Sequence, residues 1–136
     1  MKSTGELEHQ IRKSKTPAVL TEKAYSIPDI VSYMNGLLHD HGLTVQDVVV
    51  GCNLSRSYTY QLFNGNRPPT RSFLLELAFL LKLPETEAQR LLKIAGRQPL
   101  YVRNRRDAAI LYGLNHGMTA EETKRLLRRL GEEGFA

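Results

Sequence analysis

The chain has 136 residues, a formal charge of +5 at pH 7, one cysteine and no tryptophan, with a sequence pI near 9.5. That length fits one compact domain with appendages rather than two large domains; a single cysteine excludes an internal disulfide framework, and the basic balance favours an anionic partner, either nucleic acid or an acidic protein surface. No apolar run approaches a membrane span and the polar start lacks the apolar stretch of a signal peptide, so a cytoplasmic protein with no membrane partner is expected.

Taken in chain order, residues 1–27 read as a flexible arm. Met1 to Thr16 mixes Lys, Ser, Glu and Gln with little apolar periodicity, although Pro17 to Ile27 holds enough apolar side chains to pack on something. A domain is expected over 28–96. Pro28 suits the first turn of a helix, and Ile30, Val31, Met34, Leu37 and Leu38 follow at helical spacing up to Gly42. Thr44 offers a hydroxyl cap to the next helix, with Asp47 three residues on in the place of the usual Glu or Gln. Val48, Val49 and Cys52 share one side of that helix, and the spacing makes Cys52 a buried core thiol. Asn53 then stands where the chain must turn through a left-handed conformation.

Leu54 can plug the corner, Ser55 can cap a second helix, and Thr59, Leu62 and Phe63 recur at the spacing that faces the first. The opposite face carries Arg56, Ser57, Tyr60 and Gln61, long or hydrogen-bonding side chains that a core does not require there. Helix, short turn and polar second helix is the geometry that lays the second helix into a DNA major groove. Pro68-Pro69 breaks the chain, after which Phe73, Leu74, Leu77, Ala78, Leu80 and Leu81 mark a strongly apolar fourth helix. Pro84, the early acids Glu85 and Glu87, then Leu91, Leu92 and Ile94 before Gly96 describe a fifth.

Residues 97–136 form an extension. Pro99 to Val102 reads as an extended connector that docks its apolar side chains, and Arg105 to Asn115 as a helix bearing Ala109, Ile110, Tyr112 and Leu114. Thr119 and Glu122 make a capping-box pair for a last helix lined by Leu126, Leu127 and Leu130. His41-Gly42-Leu43-Thr44 and His116-Gly117-Met118-Thr119 echo one another, which shared turn chemistry explains without duplication. The fold class is therefore all-α, with a C-terminal two-helix hairpin that either extends the core or serves as a dimer or partner interface.

From Ile30 to Ala95 the sequence resembles the lambda repressor and Cro family of helix-turn-helix domains, a five-helix fold, most closely at Leu62-Phe63-Asn64-Gly65. The resemblance implies a sequence-specific double-stranded DNA-binding transcriptional regulator of the repressor type, acting as a homodimer on paired half-sites. It implies base readout by Arg56, Ser57, Tyr60 and Gln61, and phosphate contacts from Asn64, Arg67 and Arg71. Val45 stands where the family places a phosphate-binding Gln, which leaves Thr44 or Gln46 to supply that contact; Val49 replaces a usual Ala, and Asn53 a usual Gly. An arginine at the start of a reading helix pairs well with guanine and a glutamine with adenine, while Tyr60 suits a thymine methyl or a phosphate. Tyr58 is assigned to packing. Arg103, Arg105 and Arg106 are candidates for flanking phosphate contacts, at a cost in affinity rather than preference when removed.

Catalysis finds little support. His9, His39, His41 and His116 are scattered, no Cys or His pair has zinc-site spacing, no glycine-rich phosphate loop occurs, and neither a metal nor another cofactor is expected. The competing class is a protein-interaction module, an antitoxin or signalling adaptor that keeps the repressor-like fold. RNA binding is allowed by charge and disfavoured by fold.

Overall fold

The computed structural model describes residues 29–135, and over these it is all-helical, with seven helices and no strand. The expected N-terminal arm and Pro28 lie outside the described residues.

α1 (Ile30–Asp40) is capped by Asp29, whose side chain accepts from the Val31 N–H, so the helix starts two residues after Pro28. It buries Met34, Leu37 and Leu38 and stops where Gly42 takes a φ of +67°. α2 (Val45–Gly51) opens on the expected capping box: the Thr44 N–H donates to the Asp47 carboxylate at 2.7 Å and the Asp47 N–H to the Thr44 hydroxyl at 3.2 Å. Asn53 turns the chain at a φ of +52°, and α3 (Arg56–Asn64) begins at once under the Ser55 cap. α3 ends at Gly65, whose φ of +87° is the left-handed conformation that favours glycine.

α4 (Arg71–Leu80) is the hub. Every residue from Phe73 to Phe79 is buried, the charged Glu76 included. It packs on α2, on α5 (Glu85–Ile94) and on α7 (Ala120–Arg129), while α6 (Arg105–Asn115) packs on α5 and α7. One contiguous apolar core runs from Met34 of α1 through Leu74, Leu77 and Leu91 to Ile110, Leu127 and Phe135. The C-terminal helices thus extend the core rather than stand apart from it. The echo between the two turns is geometrical: Gly42 and Gly117 have φ values of +67° and +66°, and His41 and His116 each set Nδ1 2.8 Å from the carbonyl four residues back. Each ring adds a second contact to a carbonyl that already accepts the same histidine's backbone N–H.

Several contacts that fix the C-terminal helices run between distant residues. Glu76 of α4 and Lys124 of α7 form an ion pair with side chains only 11% and 17% exposed. Phe135 is fully buried and stacks on Phe79 with ring centroids 5.4 Å apart. Gly113 of α6 meets Thr123 of α7 so closely that a Cβ there would lie 2.3 Å from Thr123 Oγ1 and 3.2 Å from the Phe79 ring. Thr123 is itself buried, with its hydroxyl bonded to the Thr119 carbonyl, so it has little room to yield. Gly113→Ala is expected to destabilise the fold by about 1–3 kcal/mol in urea unfolding, and Thr123→Ala in the same chain should restore part of that; an unchanged midpoint for the single variant would show that α6 and α7 can separate without loss.

The connector departs from expectation. Only Leu100 docks, its N–H and C=O both bonded to the Gln89 side-chain amide at 2.8 Å, whereas Tyr101 and Val102 stand 55% and 75% exposed. Gln89 gives Leu100 the partners of a strand without a strand, and the next two residues, turning into the Asn104 cap of α6, have no surface to meet. Tyr112 is also in solvent, stacked on His116 at 3.8 Å instead of joining the core.

Candidate nucleic-acid interface

Three kinds of contact hold α3 in place. Thr59, Leu62 and Phe63 are buried on its inner face, and Phe63 meets Phe73 of α4 edge to face at 6.0 Å. The Asn35 amide of α1 donates to the Phe63 carbonyl at 3.0 Å, occupying an acceptor at the helix end. The loop then closes back, with the N–H groups of Asn66 and Arg67 both directed at the Gln61 carbonyl. Rigid support of this kind lets a surface helix present side chains at fixed positions.

The outer face carries the expected residues. Arg56, Ser57, Tyr60 and Asn64 are exposed and Gln61 is half-buried. Arg56 lies over the Tyr60 ring, 5.2 Å from its centroid, and Arg67 lies over Tyr58 at 5.4 Å while donating from Nε to Gln61 Oε1 at 3.0 Å. Tyr58 packs against the core, as assigned. Between Asp47 and Glu76 the sequence has no acidic residue, so nothing on α3 or its loop opposes an approaching anion. Asn64 turns its carbonyl oxygen to the Asn66 N–H at 3.1 Å. Thr44 is exposed but its hydroxyl serves the capping box, and Gln46 is exposed on the first turn of α2. Val45 is half-buried against the core.

Arg71, Arg105 and Arg106, expected at phosphates, make contacts within the fold. Arg71 is built into the fold: Nε donates to the Gln98 carbonyl at 2.9 Å, and Nη2 to the Pro99 carbonyl and to Asp107 at 3.1 and 3.2 Å. Its position at the start of α4 places it beside the connector, so it ties the connector to the core instead of standing with α3. Arg105 donates to the Leu130 carbonyl and Arg106 to the carbonyls of Glu133 and Gly134, which fastens the chain end to α6. Arg103 is exposed on the turn before α6. Sequence reading missed Asn35 and the Arg67 to Gln61 bond, because each joins residues whose pairing no helical period announces.

Arg71, Arg105, Asp107 and Glu132 border a polar groove of about 430 Å³. Its arginines already hold carbonyls and carboxylates, and it lies apart from α3. Cys52 is buried, and burial, with Glu76 nearby, pushes its thiol up to about 12, so it is a neutral core group at physiological pH. Among the described residues no three His, Cys, Asp or Glu side chains gather where they would hold a metal ion, and no helix is long and apolar enough to cross a membrane. No family model, no curated protein and no solved structure matches the chain.

Proposed function

We propose that residues 28–96 are a lambda repressor/Cro-like domain and that the chain is a sequence-specific double-stranded DNA-binding transcriptional regulator, placing α3 in the major groove. The observation that carries this reading is the division of α3 itself. One face is locked into the core, and the other presents Arg56, Ser57, Tyr60 and Gln61 outward in a region without acidic residues. The core does not require long, hydrogen-bonding side chains at those positions.

Base readout falls to those four residues. Thr44, Gln46, Asn64 and Arg67 flank the face as phosphate contacts, with Arg103 a further candidate; Arg71, Arg105 and Arg106 leave that set because their guanidinium groups serve the fold. A homodimer on two half-sites belongs to the same proposal, since a reading helix this short covers few base pairs and doubling it multiplies both affinity and specificity. The C-terminal hairpin contributes stability through the shared core.

Arg56→Ala is expected to cost about 1–3 kcal/mol on the preferred site and to relax the preference at one base pair. Fluorescence anisotropy on that site and on single-base variants measures this; equal weakening on every duplex would make Arg56 a phosphate contact. A protein-interaction module is the second reading, and one observation favours it: Val50 stands 72% exposed on α2. Salt separates the two. Association through phosphates weakens steeply with added salt, whereas association through apolar surface persists.

A further inference from the structure

The side chain of Gln61 is not free to choose its orientation. An arginine has five N–H donors and no acceptor, so the amide atom facing Arg67 Nε at 3.0 Å must be the carbonyl oxygen. Arg67 is in turn held in place by Tyr58, over whose ring its guanidinium lies, and by its own N–H, which donates to the Gln61 carbonyl at 3.2 Å. Oε1 is therefore turned toward a positive charge, and the two Nε2–H donors are left for whatever lies beyond α3.

This matters for base readout. Reading adenine requires an amide to accept from N6 and donate to N7 together, whereas guanine presents two acceptors, O6 and N7. With its oxygen engaged by a guanidinium, Gln61 is a donor group, and the adjacent positive charge further favours an acceptor edge and disfavours an amino group. Resting on the proposed DNA-reading function, we infer that Arg67 is a positioning residue that sets the base preference of Gln61, converting it from an adenine reader to a guanine reader. The role goes beyond phosphate contact, since phosphate contacts weaken all sequences alike.

The test is a set of parallel selections from a randomised duplex library with the intact chain and with Gln61→Ala, Arg67→Met and Arg67→Lys. The position at which Gln61→Ala loses preference identifies the base that Gln61 reads. At that position the intact chain should prefer guanine, and Arg67→Met should raise adenine relative to guanine by about fivefold or more, within what one paired amide contributes to discrimination. Arg67→Lys keeps the charge and an N–H donor but loses the planar guanidinium that lies over Tyr58 while bonding Gln61, so it should recover affinity and only part of the guanine preference. Adenine at that position with the intact chain overturns the inference. So does an Arg67→Met variant that binds every sequence more weakly with an unchanged preference, while enrichment itself would still support DNA reading. No enrichment by any of the proteins would remove the DNA reading and the inference with it.

Discussion

Glu76→Gln is expected to lower the unfolding free energy by about 3–5 kcal/mol, because it strands the ammonium of Lys124 in a site with little water. Glu76 lies in the stretch Phe73–Phe79 of α4, every residue of which is buried, and its partner reaches it from α7, with Lys124 Nζ also 5.3 Å from the centre of the Phe135 ring. Neither charge has an easy route to solvent. A charge buried alone costs far more than a charge buried with its partner, so the double variant Glu76→Gln with Lys124→Met should recover most of the loss. Chemical denaturation of the three proteins measures this. A single variant that loses less than about 1 kcal/mol, the range of exposed ion pairs, would show that the pair is solvated and that apolar packing alone fixes α7 on α4.

Phe135→Ala should cost about 3 kcal/mol, the range for removing a large aromatic from a packed site. The ring is fully buried and nearly parallel to Phe79, at an interplanar angle of 14°. Arg106 holds the two preceding carbonyls, so the backbone cannot simply follow the cavity inward. Faster amide exchange in α7 should accompany the loss, since Phe135 packs against Lys124 of that helix. An unchanged unfolding midpoint would mean that the residues after α7 add nothing to the core.

What could be read from the sequence was chemistry that acts over three or four residues. The capping boxes at Thr44 and Thr119, the Ser55 cap, the left-handed Asn53 and the glycine stops all appear where their local patterns put them. The inner and outer faces of α3 followed from the same periodicity. What escaped was pairing between helices. Glu76 interrupts an apolar run that the spacing buries, which was a signal that some cation must reach it, but nothing local names Lys124. Phe135 follows the last helix with no period to assign it a side. The apolar run Leu100-Tyr101-Val102 gave no way to tell which residue docks; the Gln89 amide decides that, from another helix. Arg71 and Arg67 both looked like loop cations, yet Asp107 claims one and Gln61 the other. The proposed interface was legible as a surface, and its internal coupling was not.

The account stands or falls on whether the outer face of α3 reads DNA. The most direct measurement is selection from a randomised duplex library at moderate salt, comparing the intact chain with an Arg56→Ala, Gln61→Ala double variant. The account predicts an inverted repeat that the intact chain enriches and the variant does not. Failure of the intact chain to enrich any sequence, or equal enrichment by the variant, would contradict it.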